Sequence, residues 1–304
     1  MKKIVLTLIL LGCGPLWAQD TTAGTPQATH PQFSSNLTEK VLGPTETDLN
    51  CGGELTDAAI ARNSYLISGM HFDSIRFRKG ETVFLAGKGY LVGSRYRLVR
   101  QSRNDADDEF YPGQHADEKK LGSIWSDIGV VEIVKLTDEG TVATIVFGCQ
   151  EAEVGDIVVP YTEPPTLTYT HDPAKFQVWA DPTTGVIGRI IEAQYFDFYP
   201  GKGHIVYLNL GANRGLKPGD YLRITRAFHS TSDLPAIDRY TERADTTDTT
   251  SKDPIKVTPS RAKGMPRHGV GEVMVLSVTP KTATAIITVA LDEIHLGDQV
   301  EVEP

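Results

Sequence analysis

The sequence lacks the residue patterns that usually identify an enzyme or a metal-binding protein. It has three cysteines and eight histidines in 304 residues, and no histidine has another His or Cys at metal-ligand spacing. It has no Gly-x-Ser-x-Gly elbow, no His-Glu-x-x-His motif, no phosphate-binding loop and no Cys-x-x-Cys pair. We therefore predict a non-catalytic protein with no cofactor and no metal. The competing hypothesis is a hydrolase of envelope polymers with a dispersed active site.

Positive charge is also scarce. The chain carries 30 Lys and Arg residues against 39 Asp and Glu residues, a net charge of −9. Nucleic-acid binders neutralise phosphates with clustered basic residues, and peripheral membrane proteins dock through basic patches. No such cluster occurs here, so we expect no nucleic-acid partner. We expect contact with a membrane only if a cysteine near the N-terminus is lipidated.

Long apolar runs are missing as well. The run at residues 4–11 is too short to span a bilayer, and it follows two lysines, as in a secretory signal peptide. We predict a signal peptide over residues 1–18, with cleavage after Ala18. The alternative is a lipobox that would leave Cys13 as a lipidated N-terminus. Either outcome predicts an exported protein that is periplasmic or associated with the outer membrane.

Two cysteines remain if Cys13 leaves with the signal peptide. An even number of cysteines in an oxidising compartment favours a disulfide, which would join Cys51 to Cys149. In the chain-entropy model, closing a loop of roughly 100 residues stabilises the fold by about 4–5 kcal/mol. The alternative is a pair of buried free thiols.

The chain contains an internal repeat, best seen in the stretch GLKPGDYLRITR at Gly215–Arg226, which resembles GYLVGSRYRLVR at Gly89–Arg100. Upstream of these stretches, Tyr65–Leu85 aligns without gaps with Gly188–Leu208. This alignment places Ile67 opposite Ile190.

The second half of the repeat follows in the same order. Gly129–Val158 aligns with Gly271–Val300, and both segments run strand, turn, strand, then a Gly-Asp turn and a last strand. Two matched halves in the same order indicate a duplication. The turns should place glycine at positive φ, and their aspartates should accept hydrogen bonds from nearby backbone. These residues are Gly93, Gly155, Gly219, Gly297, Asp156, Asp220 and Asp298.

Short strands with period-2 alternation, separated by turn signals, predict an all-β fold. About six strands per unit would close as a small barrel, which removes exposed strand edges. We predict two related β-barrel domains in tandem, each interrupted by a long loop insertion, at Gln101–Ile128 and at Ala227–His268. The one place where a short helix is expected is Thr56–Asn63. The predicted domain order is a flexible spacer at 19–50, the first barrel at 51–160, a Pro-rich linker at 161–180 and the second barrel at 181–304.

The elements Gly-x-x-Val-Tyr-Leu, Gly-Leu-Lys-Pro-Gly-Asp and Glu-Ile-x-x-Gly-Asp-x-Val resemble a β-rich domain of Gram-negative envelope proteins. The domain is similar to the C-terminal domain of flagellar assembly protein T and to domains found beside LysM modules in peptidoglycan-binding candidates. The resemblance covers most of residues 65–302. It implies structural or binding work in the periplasm and no known chemistry, although a complete LysM motif is missing.

Aromatic residues give the only hint of a binding surface. Tyr195, Phe198 and Tyr199 cluster in AQYFDFYPGKG, and Trp125 and Trp179 lie near segment junctions. Aromatic faces serve both carbohydrate sites and protein interfaces, while packing in the core is the structural alternative. We predict an envelope structural or adaptor protein that binds peptidoglycan or a protein assembly. A lipoprotein that pilots or stabilises an outer-membrane machine is the alternative.

Overall fold

The computed structural model describes residues 42–71, 73–103, 109–180, 185–226 and 267–302. The predicted signal peptide at 1–18, with Cys13, lies outside these ranges. So do the part of the spacer up to residue 41 and most of the second insertion, residues 227–266.

Strands rich in β-branched and aromatic residues make up most of the regular secondary structure of the described chain, as their intrinsic preference for pleated structure predicts. In chain order the elements are α1 (Glu46–Asn50), β1 (Glu54–Thr56), β2 (Tyr65–Gly69), β3 (Arg76–Phe77), β4 (Thr82–Ala86), β5 (Arg95–Ser102), α2 (Gln114–Leu121), β6 (Ser123–Leu136), β7 (Thr141–Gly148), β8 (Ala152–Glu153), β9 (Ile157–Pro160), β10 (Trp179–Ala180), β11 (Ile187–Ala193), β12 (Ile205–Leu208), β13 (Tyr221–Arg226), β14 (Arg267–Val278), β15 (Ala283–Ala290) and β16 (Gln299–Val302). Short 3-10 helices lie at Pro173–Lys175, Gln194–Phe196 and Ala212–Arg214.

The strands form two closed antiparallel barrels of six strands each, which confirms the predicted fold. The first barrel has the order β2-β4-β7-β6-β5-β9, and β9 pairs back to β2. The second barrel repeats this order as β11-β12-β15-β14-β13-β16, and β16 pairs back to β11. Each sheet also has a seventh strand, which pairs with the start of the longest strand, before that strand begins to pair with β7 or β15. In the first sheet β1 pairs with β6, and in the second β10 pairs with β14.

The internal repeat is confirmed at the level of single residues. Each barrel has a β-bulge at the matching place, with the extra residue at Ile128 in β6 and at Val270 in β14. The predicted turn glycines all have positive φ, between 80° and 96°. The aspartate side chains of these turns accept hydrogen bonds from backbone N–H groups three residues earlier, as predicted, at Asp156, Asp220 and Asp298.

One detail of the predicted alignment is wrong. The counterpart of Ile190 is Leu66, not Ile67, because Leu66 pairs with Leu85 as Ile190 pairs with Leu208. A shift of one residue turns a strand side chain to the opposite face of the sheet. Leu66 and Ile190 are accordingly buried, whereas Ile67 is exposed.

An ion pair with a buried aspartate fixes the last turn of the first barrel. The Arg100 guanidinium on β5 donates to both carboxylate oxygens of Asp156, at 2.7 and 2.8 Å, and to the carbonyl oxygen of Glu151 at 3.2 Å. Asp156 also accepts the backbone N–H of Glu153 at 2.7 Å. The carboxylate that shapes the turn is therefore tied to the neighbouring strand by a charged two-point contact, the strongest kind of side-chain hydrogen bonding.

The second barrel repeats this arrangement. Arg226 on β13 donates to the carboxylate of Asp298 at 3.1 and 2.8 Å and to the carbonyl oxygen of Glu293 at 2.7 Å. The Asp298 side chain also accepts the backbone N–H of His295 at 2.9 Å. We call this arrangement in either barrel the Arg–Asp clamp. It gives a structural reason for the repeated arginine and aspartate.

The two barrels are joined through β1 and the residues just before it. The predicted disulfide between Cys51 and Cys149 is present and holds this segment to the first barrel. On its other side the segment meets the second barrel, where Tyr207 donates its hydroxyl to the carbonyl oxygen of Gly52 at 3.0 Å and Thr284 donates to that of Gly53 at 2.9 Å. The segment that ends in β1 therefore pairs with the sheet of the first barrel and is hydrogen-bonded to the second barrel.

Gly53 is required where the barrels meet. Its φ is +67°, and a Cβ there would lie 2.8 Å from the carbonyl oxygen of Trp125 and 2.9 Å from the hydroxyl of Tyr207. Only glycine accommodates both the left-handed backbone and this approach.

The insertion of the first barrel also packs on the second barrel. It contains α2, and its buried residues complete the core of the second barrel. The Gln114 side chain donates to the carbonyl oxygen of Ile191 at 3.1 Å, and the guanidinium of Arg189 lies 4.8 Å from the centre of the Tyr111 ring. The residues from the first repeat that join the second core are Leu55, Tyr111 and Leu121.

The helix predicted at Thr56–Asn63 is wrong. Strand β1 ends at Thr56, and the rest of that segment has no helix. Pairing of β1 with Ser123–Trp125 holds the start of the segment extended, and this tertiary pairing overrides a weak local helix signal. The helix of the first repeat is α2, inside the insertion.

Two segments assigned to the spacer and the linker are ordered. Residues 42–50, assigned to the spacer, include α1, which begins with a capping box in which Thr45 and Asp48 exchange hydrogen bonds. The linker residues 161–180 lie on the outside of the second barrel, where Leu167 and Tyr169 pack beside Leu49. The backbone N–H of Tyr169 donates to the carbonyl oxygen of Leu42 at 2.7 Å.

We expect Arg226→Met to lower the free energy of unfolding by about 3–5 kcal/mol, because it leaves the buried Asp298 carboxyl without its guanidinium. Urea unfolding followed by circular dichroism measures the change. Arg214→Met is the matched control, since Arg214 is exposed and surface substitutions usually change stability by no more than about 0.5 kcal/mol. Equal unfolding midpoints for the two variants would show that the clamp does not stabilise the barrel.

Candidate functional site

Three of the predicted surface residues lie together between β11 and β12. The exposed fraction is 63% for Tyr195, 51% for Phe198 and 49% for Tyr199, which is high for aromatic side chains. We call these three residues the aromatic edge. The Phe198 ring contacts Phe110 from the insertion of the first barrel, with centroids 4.9 Å apart. Both barrels therefore support the aromatic edge.

The backbone beneath the aromatic edge is strained. Tyr195 and Phe196 have φ values of 59° and 58°, a left-handed conformation that bulky residues rarely adopt. Each such residue costs on the order of 1–3 kcal/mol, and strain of this kind clusters at functional sites. Here the strained turn projects Tyr195 out of the protein instead of into a core.

A groove of about 240 Å³ runs beside the aromatic edge, between the barrels. Tyr195 and Phe196 line one side of it. The first barrel contributes the Ser102 and Ser126 hydroxyls, which are 2.6 Å apart, and the side chain of Gln150. The groove thus places polar hydrogen-bonding groups opposite aromatic rings.

Trp125 does not belong to a binding surface, contrary to the prediction. Only 5% of it is exposed, and it packs in a small apolar cluster with Val99 and Ile157. The guanidinium of Arg62 lies 5.5 Å from the ring centre. Trp125 is buried because β1 and the neighbouring loop cover the start of β6.

Trp179 is exposed, as a surface role requires. It lies on β10, 56% of it is exposed, and its ring is 5.1 Å from the His268 ring. It follows a segment of the linker that we call the strap, residues 170–177.

The strap crosses the outer face of the second barrel and borders a half-open cavity of about 410 Å³. His171 stacks on the Tyr221 ring, with centroids 3.7 Å apart, and its Nδ1 lies 2.8 Å from the carboxylate of Glu272. The backbone N–H of Thr170 donates to the Tyr221 hydroxyl at 3.0 Å. These contacts attach the start of the strap to β13 and β14.

Buried charges form the floor of the strap cavity. Arg223 and Glu272 are 7% and 4% exposed and are direct neighbours across β13 and β14. Thr288 donates to the Glu272 carboxylate at 2.7 Å, and the Arg223 guanidinium lies 5.9 Å from the centre of the Phe176 ring. The exposed residues at the mouth are Asp172, Lys175 and Gln177.

The first barrel has the matching arginine in a different setting. Arg97 lies between Val130 and Val159 on the neighbouring strands, and its guanidinium pairs with Glu54 at 3.1 Å and with Asp127 at 3.3 Å. Arg97 is therefore paired beside β1, whereas Arg223 lines the strap cavity. The strap cavity is therefore a feature in which the repeats differ.

The sequence analysis missed the strap cavity. It assigned the strap to an extended linker and did not weigh Arg223 or Glu272. A usable signal exists, since Glu272 occupies the strand position that is Val130 in the first copy. A carboxylate in place of a valine on a buried strand needs a specific partner.

The described residues offer little for metal chemistry. In these ranges no group of three or more His, Cys, Asp or Glu side chains is arranged to hold a metal ion. Nor does any helix in the described chain have the length and apolar character needed to cross a bilayer. The arrangement that remains, mixed charges and aromatic rings around two concave surfaces, is suited to binding.

Comparison with known proteins gives no family for this chain. No protein-family model matches it, and a search of the curated proteins finds no match.

Asp127 is a buried titratable group at the contact between the barrels. Its carboxylate accepts the backbone N–H of Gly53 at 2.8 Å and lies 3.3 Å from the Arg97 guanidinium. Burial raises the pKa of Asp127 to about 6, and the Arg97 charge and the Gly53 N–H offset only part of this effect. A carboxyl whose pKa is higher in the folded state binds more protons when folded, so its contribution to stability decreases as pH rises through that range.

We expect the stability of the unchanged protein relative to Asp127→Asn to fall by about 2–3 kcal/mol between pH 4 and pH 6, since one pKa unit corresponds to about 1.4 kcal/mol. Above pH 7 the difference should be constant. Urea unfolding of both proteins across this pH range measures it. A difference that stays constant from pH 4 to pH 7, or that grows with pH, would contradict the assignment.

Proposed function

We propose that this chain is a non-catalytic binding protein of the bacterial cell envelope, which contacts peptidoglycan or a protein assembly through the aromatic edge. The observation that carries the proposal is the exposure of Tyr195, Phe198 and Tyr199 beside a groove between two barrels. Aromatic side chains supply large contact areas at binding surfaces. Three exposed aromatic side chains on a strained turn lower the stability of the fold, and they do not contribute to the packing of the core.

The joined barrels support a role in binding. Strand β1, the disulfide and the insertion of the first barrel fix one barrel against the other. A rigid scaffold presents its surface already ordered, which reduces the entropy lost on binding. The aromatic edge and the groove therefore keep their relative positions when a partner arrives.

The envelope location is supported by two observations. The disulfide is compatible with an oxidising compartment, where such bonds persist. The turn-and-strand pattern resembles β-rich envelope domains. Peptidoglycan is the first candidate target because the groove combines hydroxyl and amide groups with aromatic rings, a combination that suits a glycan. A protein assembly is the second, because exposed Tyr and Phe side chains equally suit a protein interface.

We expect the purified protein to co-sediment saturably with peptidoglycan sacculi at physiological salt. The double variant Tyr195→Asn with Phe198→Ser should bind at least about tenfold more weakly, since aromatic contacts in an interface are often worth more than about 1 kcal/mol each. Asn is chosen at position 195 because it tolerates the left-handed backbone.

The control is Tyr65→Ser, which removes a tyrosine that is 41% exposed on the first barrel and should leave pelleting unchanged. Equal loss of pelleting in the control and the double variant would show that the aromatic edge is not the contact surface. If the unchanged protein does not pellet, peptidoglycan is excluded as the target, and crosslinking in the native envelope becomes the test for a protein partner.

A further inference from the structure

We infer that the strap cavity binds a neutral saccharide. The cavity has a volume of about 410 Å³, within the range of about 300–1,000 Å³ typical of small-molecule sites. It shares no residue with the aromatic edge, and it has its own polar floor, aromatic wall and open mouth. The inference therefore stands independently of the proposed contact with the envelope.

The barrel fold does not require the charges on the floor. The first barrel closes with the same strand order while Val130 and Val159 occupy the two positions that flank its arginine. In the second barrel these positions hold Glu272 and Glu301, which are 4% and 2% exposed. Burying carboxylates is costly unless they are well partnered. The first barrel pairs its arginine with Glu54 and Asp127 instead, beside β1, whereas Glu272 of the second barrel lines the strap cavity. The different placement of this carboxylate indicates a function specific to the second barrel.

The floor is held in one geometry before any ligand arrives. Thr288 and His171 each contact a different oxygen of the Glu272 carboxylate, at 2.7 and 2.8 Å. His171 is itself fixed by its stacking on Tyr221. Such preorganisation lowers the ordering cost of binding and is typical of a built site.

The charges around the cavity favour a ligand without net charge. On the floor Arg223 is next to Glu272, and at the mouth Asp172 and Lys175 have opposite signs. A negatively charged ligand would be repelled by Glu272 on the floor and by Asp172 at the mouth. A positively charged ligand would be repelled by the basic residue in each place. A polyhydroxyl ligand gains instead, because a hydroxyl donates to a carboxylate and accepts from a cationic group.

The wall of the cavity supplies an apolar face. Phe176 packs so closely over Gly269 that a Cβ there would lie 3.0 Å from the ring. In the first barrel the matching position is Asp127, which pairs with Val99 as Gly269 pairs with Thr225. The second barrel therefore has an aromatic ring packed over glycine at the position where the first barrel has a carboxylate. The ring provides a flat apolar surface beside the polar floor. The C–H face of a sugar ring fits against such a surface while its hydroxyls reach the charged groups.

We expect the neutral disaccharides cellobiose and N,N′-diacetylchitobiose to serve as probes, and at least one of them to bind the full protein saturably in isothermal titration calorimetry. Glu272→Gln should weaken this binding roughly tenfold or more, because hydrogen bonds to charged groups are worth about 1.5–3 kcal/mol. Glu54→Gln is the matched control. Glu54 pairs with the equivalent arginine of the first barrel and does not line the strap cavity, so binding should be unchanged.

Lys175→Ala with Gln177→Ala keeps the test valid if Glu272→Gln does not fold. Both residues are exposed at the mouth, and their loss should weaken binding severalfold. Tyr195→Asn should leave disaccharide binding intact, which separates this inference from the proposed role of the aromatic edge. Three results would each overturn the inference: no binding of either disaccharide, binding that neither cavity variant weakens, or tighter binding of zwitterionic glycylglycine than of both sugars.

Discussion

Each barrel depends on an arginine that ties a buried aspartate in its last turn to a neighbouring strand. Asp156 and Asp298 shape the turns that lead into the closing strands, and Arg100 and Arg226 hold those turns in place. A buried charge pair is tolerated only when nearly all of its hydrogen-bonding groups are satisfied. Here the carboxylates and guanidiniums also bond backbone atoms of the same turn, so the geometry of the turn and the pairing of the charges require each other.

The second constraint is the connection between the barrels. Residues of the first repeat fill part of the core of the second barrel, and the Cys51–Cys149 disulfide fixes the segment that both barrels contact. The second barrel therefore lacks part of its own core without the first. A flexible tether between two independent sites would raise affinity through effective concentration. A fixed pair of barrels works differently, because it presents one surface and one groove of constant shape.

Duplication preserved the closure of the barrels and changed their outer faces. Arg97 and Arg223 occupy equivalent strand positions, yet one is covered by β1 and the other lies on the floor of the strap cavity. The inner faces tolerate little change because their side chains interlock in the core. The residues of the outer faces need only fit the segments that cover them, and these segments differ between the two repeats. New binding properties are therefore expected outside the barrels, at the strap and at the aromatic edge.

The sequence by itself determined the all-β class, the duplication and the turn geometry, because each depends on local preference. It favoured the disulfide but left free thiols as the alternative, and the structure decided between them. Period-2 alternation identifies strands, and a turn that needs positive φ selects glycine. Only the tertiary structure decided that Trp125 is buried, that Leu66 rather than Ile67 corresponds to Ile190, and that the linker forms a strap over Glu272. Alternation shows which residues share a face of a strand but not what covers that face. The covering residues come from earlier in the chain, 101 positions away in the case of His171 and Glu272, and contacts at that separation leave no local pattern.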